Sequence, residues 1–451
     1  MTEGQYLAWL ADLNAERIVL AELHHAHGVK YVATGPYMSL PGDSDPNRPY
    51  DDILKSAVDI TTRIDGLTTF GEVALIDDGS ITEWISHAWE GHKIRIFIGA
   101  PDWSRDDFRL LATGRNGGIT EARRGKIVFR MNDESAVLDE RIDTGELPND
   151  AGPVPLALGS IFNAPAYRVS TETLTYRASF LPVTSIDAKD AGAPITHTTH
   201  TANGTITLAA SLVDTLTIDI EEPHNTPVKI IEWIADYYGI PIGTVEMPNY
   251  QVGVYYSGGD VVGSQILDDL CAGLGAYWFV DQVGALVVRQ HTLPAVADVT
   301  IVGDDIRYDQ VRLSETEPPW RGLTLRWGRN YSPLSTVAGV VDEQSPNEAT
   351  RLRTEWRESR ATQVVEDYPL AQHVTRDSVI QNADDAATER DRQLALRITQ
   401  REIWELEASL APVQVGQAAD IQHRRLAGRL GRLISVGRSL PREKTNLGVW
   451  V

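Results

Sequence analysis

The chain has 451 residues, 42% of them hydrophobic and 23% charged, which is the composition of a soluble globular protein with two to four domains. Its formal net charge of −22 argues against a protein that grips nucleic acid through its phosphates, but it suits a wall that nucleic acid must pass without sticking. No apolar run approaches the roughly 18 residues that span a bilayer. The acidic N-terminal segment indicates mature structure rather than a signal peptide, so we expect no membrane insertion.

The first part of the chain, residues 1–145, is predicted to be an antiparallel β-domain. A strand is expected at residues 17–23, and a loop rich in Gly, Pro and Asp at residues 28–53. Stretches rich in Ile, Val, Phe and Thr then alternate with Gly and Asp turns, which is typical of short strands. A short helix is expected at "SITEWISHAW", residues 80–89, after a turn at Asp77-Asp78-Gly79.

Residues 146–224 are predicted to hold a connector and the first strands of a second β-domain. The connector is the proline-containing segment 146–166. Short strands follow it, and Asn203-Gly204 is a tight-turn dipeptide between two of them.

The character of the sequence changes in residues 225–292, where apolar residues recur at spacings of three and four. Thr226 as N-cap and Gly239 as the stop predict one helix, and Ser264 and Gly275 predict the limits of a second. A strand, a turn and a strand follow. We therefore predict a small inserted α/β domain.

Residues 293–451 are predicted to return to strands. A helix is expected to start near Asn382, with Asp384 and Asp385 in the first turn, where the helix dipole favours acids. The segment 401–410 alternates apolar and polar residues, as a strand does, and closing strands follow it. The predicted fold class is mainly β with an α+β insert.

Metal binding is weighed first for "LHHAHG", which holds His24, His25 and His27. Two imidazoles on one face of a strand do not make a site without a third ligand, so surface histidines are the better interpretation. Asp77-Asp78-Gly79 resembles part of a calcium loop, but the alternating acids and the later glutamate are missing. We predict no metal site.

Catalysis is weighed next, because residues 77–103 are rich in ionisable groups. His87 and His92 are five residues apart, which is unsuitable for shared ligation on a helix, and Glu83 and Glu90 are expected to be solvated. Gly258-Gly259 lacks the remainder of a phosphate-binding loop, and the single cysteine, Cys271, lacks an adjacent base. We predict no catalytic residue and no cofactor, and thus a protein that is not an enzyme.

Interface residues are a better explanation of the remaining features. The chain has eleven tryptophans, and several stand beside turns, among them Trp84, Trp89 and Trp103. Tryptophan is enriched at interfaces because it buries a large area and offers one hydrogen-bond donor. Arg424 and Arg425 belong to a basic cluster, "HRRLAGRLGR", that is suited to a subunit contact. These five residues are the candidate interface.

A resemblance gives these features a context. The stretch "GEVALIDDGSITEWISHAWEGHKIRIFIGAPDW", residues 71–103, resembles a segment of the tail-tip proteins of long-tailed bacteriophages and of gene-transfer-agent baseplates. His92 stands where that family has Arg, and Ala100 where it has an acid. The segments 155–167, 267–288 and 387–423 are similar to the connector, the inserted domain and the last helix of baseplate hub proteins, in the same order.

The resemblance implies two β-barrel-like domains of the tail-tube type, the first over residues 1–145 and the second completed by residues 293–451. It also implies a homotrimeric hub in the virion, made in the host cytoplasm, whose three chains form a ring of pseudo-sixfold symmetry. The implied partners are the distal tail protein, the tail tube, the tape-measure protein and tail-fibre proteins, with phage DNA passing through transiently. Two alternatives stay open, namely a receptor- or carbohydrate-binding tail-tip protein and a tail-associated cell-wall hydrolase.

Overall fold

The structure is a computed structural model that describes residues 1–12, 14–55, 59–64, 68–148, 151–170, 172–307, 310–426, 428–439 and 444–451. Strands dominate the fold and the helices are few, so the predicted mainly β class is confirmed. No helix within these ranges is long and apolar enough to cross a membrane. The predicted domain limits are not tested independently and stay a prediction.

The first barrel is formed by strands between residues 18 and 132. The chain begins with helix α1 (Glu3–Ala11), and the strands are β1 (Ile18–His25), β2 (Gly28–Ala33), β3 (Tyr37–Met38), β4 (Pro49–Asp52), β5 (Asp59–Arg63), β6 (Thr68–Phe70), β7 (Val73–Leu75), β8 (Lys93–Gly99), β9 (Arg109–Arg123) and β10 (Lys126–Asn132). The sheet runs in the order β3-β4-β2-β1-β8-β9-β10-β7. Leu54, just after β4, bridges Leu75 at the end of β7, which closes the sheet on itself.

Alternation along β8 shows why these residues form a barrel wall. Lys93 and Arg95 are exposed, whereas Ile94 and Ile96 are buried in the core. The period of two places every second side chain inside a closed sheet. Phe129 of β10 is fully buried in the same core. The barrel interior is therefore filled by side chains and is not a pore.

A sandwich of two sheets follows the first barrel. Its strands are β11 (Leu156–Pro165), β12 (Tyr167–Ser170), β13 (Thr175–Arg177), β14 (Ser185–Asp190), β15 (Ala193–Pro194), β16 (His197–His200), β17 (Thr205–Leu208) and β18 (Leu216–Glu221). The predicted connector 146–166 thus contains a long central strand, because its apolar run is buried on both faces. Gly204 is left-handed in the turn between β16 and β17, as predicted.

The α/β insert contains α2 (Pro227–Tyr238), β19 (Ile242–Glu246), β20 (Gly253–Tyr256), α3 (Gly263–Gly273), β21 (Ala276–Val280) and β22 (Leu286–Gln290). Helix α2 starts after Thr226 and stops at left-handed Gly239, as predicted. The prediction that Ser264 caps α3 is wrong: Val262 is the cap residue, and Ser264 donates to Asp139 at 2.6 Å. Strand β20 pairs with β11, so this part of the chain also extends the sandwich.

The remaining elements are β23 (Val299–Ile301), β24 (Arg312–Glu317), β25 (Gly322–Trp327), α4 (Gly339–Gln344), α5 (Pro346–Arg353), β26 (Arg357–Thr362), β27 (His373–Asp377), α6 (Ala383–Leu396), β28 (Arg401–Ser409), β29 (Ala418–Ile421), β30 (Leu430–Ser439) and β31 (Lys444–Trp450). Helix α6 starts where predicted, because the Asn382 side chain accepts from the amides of Asp384 and Asp385. It packs on a small sheet of order β26-β25-β27.

The second barrel has the order β23-β29-β30-β31-β28-β24. Strand β23 pairs with β29, Ile306 then bridges Ala408 of β28, and β24 pairs with β28. The stretch 299–317 therefore joins both ends of the sheet and closes it. A separate core fills it, with Leu433 and Val449 fully buried.

One hairpin joins the two barrels. Strands β5 and β6 pair with each other, and β5 pairs with the second half of β30 in the second barrel. Yet the side chain of Ile60 on β5 is only 1% exposed and lies in the core of the first barrel. The strand thus contributes side chains to the first barrel and backbone pairing to the second, because a strand pattern does not specify which sheet the strand joins.

Candidate assembly surfaces

Trp84 and Trp89 lie in the core of the first barrel, each only 3% exposed. The indole N–H of Trp89 donates to the carbonyl of Trp84 at 2.7 Å, and its ring meets Phe129 edge-on with centroids 4.9 Å apart. The Lys30 ammonium lies 5.0 Å from the Trp84 ring. Side chains so enclosed offer almost no area to a neighbour, so the interface prediction for these two tryptophans is wrong.

The local reason is a single turn of 3₁₀ helix, Thr82–Ser86, which forms in place of the longer helix predicted at residues 80–89. Before it, the Asp77 and Asp78 carboxylates each accept from the amide two residues ahead at 2.9 Å. The Ser80 hydroxyl, together with the Ser80 amide, holds the pKa of the Asp78 carboxyl below its usual range. The predicted turn at Asp77-Asp78-Gly79 is confirmed, and it sends both tryptophans inward.

Trp103 is half-buried and is partly covered by α1. Its ring lies 4.5 Å from that of Trp9, and its carbonyl accepts from the Tyr37 hydroxyl at 3.0 Å. Phe108 meets it edge-on. The remaining accessible part of the ring can contact another molecule, so the interface role of Trp103 stays a prediction.

Arg424 and Arg425 are exposed on the loop between β29 and β30 of the second barrel. The Arg425 guanidinium donates to the carbonyl of Val311 at 2.6 Å, which ties this loop to the start of β24. Both side chains are presented to solvent on an otherwise acidic protein. Their interface role also stays a prediction.

The histidines of the first barrel meet across two segments. His25 stacks on His87 with ring centroids 4.5 Å apart, and His27 lies edge-on to His25 at 6.4 Å. Burial lowers the pKa of both His24 and His25, and positive neighbours lower it further. Within the described ranges no three His, Cys, Asp or Glu side chains are placed to hold a metal ion. The arrangement is that of histidines at a packed surface.

The two glutamates and the cysteine considered as catalytic candidates are either exposed or buried. Glu83 and Glu90 are exposed. Cys271 is buried in α3, and burial raises the pKa of its thiol well above the usual range, which makes it unreactive. Gly259 has a φ of 80° in the turn that precedes α3.

A cleft at the meeting point of both barrels and the insert was missed by the sequence analysis. We call it the junction cleft. It consists of two adjoining cavities of about 350 and 280 Å³ that share four lining residues, Gln282, Val283, Gln414 and Arg438. No motif marks it, because its walls come from opposite ends of the chain, from Tyr6 to Arg438.

No protein-family model and no curated protein matches this chain. Solved structures do. The 43 kDa tail protein of prophage MuSo2 from Shewanella oneidensis is 11% identical, with 96% of this chain and 98% of that chain covered and a TM-score of 0.46. The tail protein from Neisseria meningitidis MC58 is 10% identical, with 97% of each chain covered and a TM-score of 0.47.

A chain of a native gene transfer agent particle is also similar, at 10% identity over 70% of this chain and 91% of that chain, with a TM-score of 0.43. The chain is similar to phage tail proteins. This is the class that the sequence resembles, so that resemblance is confirmed.

Proposed function

We propose that the chain is the central hub at the tip of a phage tail, a structural virion protein that forms a trimeric ring. The observation that carries the proposal is the presence of two closed barrels in one chain, tied together by the β5–β6 hairpin. Three such chains present six barrels, which is the number needed beneath a sixfold tube. The sequence resemblance to baseplate hubs points the same way.

The filled cores of the two barrels exclude a DNA channel through either barrel. Phe129 fills the first barrel and Leu433 the second, so DNA has no route through either barrel. In the proposed ring, the channel lies between subunits. The net charge of −22 keeps phosphates from adhering to its wall.

The proposed partners are the distal tail protein and the tail tube on one side, and tail-fibre proteins and the tape-measure protein on the other. The proposed place is the tail tip of the virion. We also propose that the chain has no catalytic role. Peptidoglycan release by the purified protein that is lost on Glu83→Gln or Glu90→Gln would contradict this, since both side chains are exposed and their removal does not disturb the core.

Native mass spectrometry tests the ring directly. We expect a species with three times the 49.7 kDa mass of one chain. Imaging of the assembled particle should show three copies around the tail axis. A chain that stays monomeric at micromolar concentration, and that is absent from the tail tip in images, would refute the proposal.

A further inference from the structure

The junction cleft has an unusual cation at its centre. The side chain of Arg438 is half-buried, and its guanidinium donates to the Gln282 side chain and to the carbonyl of Val413, both of which are uncharged. Burial lowers its pKa, and Tyr6 alone opposes this effect. Among the described residues no carboxylate forms an ion pair with Arg438.

Two other arginines with little exposed side chain are paired with carboxylates. Arg105 contacts Glu22 at 2.8 Å, and Arg392 contacts Glu389 at 2.6 Å. A buried charge is costly unless it is paired and hydrogen-bonded. Arg438 is therefore set up to receive a negative charge from another molecule.

Apolar surface continues on both sides of Arg438. Leu7 of α1 is 37% exposed, and Leu110 of β9 and Val283 of the insert are each 39% exposed. These side chains line the cavity on the α1 side. The other cavity is lined by Phe279 and Val415, among others.

The charged residues that line the junction cleft indicate which class of ligand it can bind. The lining of the two cavities holds three arginines, Arg109, Arg289 and Arg438, and two acids, Asp281 and Asp298. The balance of one positive charge suits a single carboxylate better than a polyanion such as nucleic acid or a doubly charged phosphate. A single carboxylate needs only one cation. The two adjoining cavities give the cleft an elongated shape, which suits an extended peptide better than a compact small molecule.

We propose that the junction cleft binds an extended peptide segment of a neighbouring tail protein, through one carboxylate on Arg438 and apolar side chains on either side of it. The identity of the partner rests on the proposed function, whereas the binding chemistry does not. Because both barrels and the insert form the walls, a bound segment contacts all three units at once.

The probes are acetylated, amidated eight-residue peptides with one central glutamate flanked by leucine or phenylalanine, and a matched set with glutamine at the centre. Fluorescence polarisation on the full chain should show that the glutamate set binds about tenfold more tightly, since a hydrogen bond to a charged group contributes roughly 1.5–3 kcal/mol. Arg438→Gln should abolish the preference. Arg432→Gln, on the same strand but outside the cleft, should keep it.

Leu110→Glu provides a second variant in case Arg438→Gln does not fold, because Leu110 is an exposed position on β9. We expect the added carboxylate to weaken binding of the glutamate set about tenfold. Equal binding of the two peptide sets by the unaltered chain would overturn the proposal. Tighter binding of free phenylbutyrate than of any peptide would also overturn it, since that would assign the cleft to a small carboxylate.

The test separates the two proposals. Peptide binding is measured on the chain whatever its stoichiometry, whereas the hub is tested by the mass of the assembled species and by imaging. Glutamate-dependent binding by a chain that forms no trimer would uphold the cleft and refute the hub. A trimer that binds both peptide sets equally would uphold the hub and refute the cleft.

Discussion

The two barrels of this chain are closed in different ways. The first barrel closes with its own strands, through the bridge between Leu54 and Leu75. The second barrel closes around residues 299–317, but the second half of β30 is covered by β5 from the first part of the chain. The first part of the chain therefore provides a strand to the second barrel, while no described strand of the second barrel pairs with the sheet of the first.

Ile60 on β5 contacts both barrels. The backbone of Ile60 pairs with Arg438 in the second barrel, and its side chain is buried in the core of the first. The two cores are separate clusters of side chains, and β5 contacts both units. The barrels are thus coupled through a strand, although each has its own hydrophobic interior.

The largest effect is expected from Ile60→Asp. It places an unpaired charge in the first core and disturbs the strand that covers β30, so we expect a loss of about 4 kcal/mol or more in the free energy of unfolding. Urea unfolding, followed by tryptophan fluorescence, measures it. Thr69→Asp is the control, because Thr69 is exposed and lies on the other strand of the same hairpin, where it pairs with Thr61. Equal losses for the two variants would show that the hairpin does not couple the barrels.

A matched pair of core truncations tests whether the second barrel depends on the first more than the first depends on the second. Trp89→Ala in the first barrel and Leu433→Ala in the second should each cost about 2–5 kcal/mol. Hydrogen exchange should show lost protection in both barrels for Trp89→Ala, but only in the second barrel for Leu433→Ala. Symmetrical loss of protection would contradict the one-way dependence.

Lowering the pH should lower the free energy of unfolding through a histidine that lies beside the second barrel. His291 lies 4.8 Å from the Tyr277 ring, and burial, together with Arg397, Arg392 and Arg376, lowers its pKa from 6.5 to about 4. Below pH 6.5 the unfolded chain binds a proton that the folded chain does not, so stability is complete above pH 6.5 and falls toward pH 4. We expect a loss of about 2 kcal/mol between pH 7 and pH 5.

His291→Gln isolates this contribution. The variant should lose less stability than the unaltered chain over the same pH interval, measured by urea midpoints at each pH. Equal pH dependence in the two proteins would assign the acid sensitivity to other groups. Glu317 opposes the shift and is the one acid among the main influences on His291.

The smallest effect on stability is expected from Arg424→Ala on the second barrel. The side chain is exposed, so the free energy of unfolding should change by less than about 0.5 kcal/mol. If Arg424 contacts a neighbour, the trimer of the variant should be weaker. It should then dissociate at a protein concentration at which the unaltered trimer stays intact, which sedimentation measures. Arg123→Ala, at an exposed position of the first barrel, is the control. A trimer unchanged by Arg424→Ala would remove this residue from the candidate interface.

Local signals in the sequence predicted local structure well. Gly239 ends α2 and Asn382 starts α6, because a cap depends on a few neighbouring residues. The burial of Trp84 and Trp89 could not be predicted, because it depends on how the turn before them directs the chain. The path of β5 to β30 and the walls of the junction cleft depend on contacts between distant segments, which no short pattern encodes.

The hairpin also has a consequence for synthesis. Arg63 pairs with Ser435, which the ribosome adds 372 residues later (435 − 63). At roughly 5–20 residues per second, the hairpin waits about 20–75 s for its partner strand. During that time β5 presents an open edge, and such edges promote association between unfinished chains. Correct maturation of this protein therefore depends on how the cell protects one short strand until its partner strand has been synthesised.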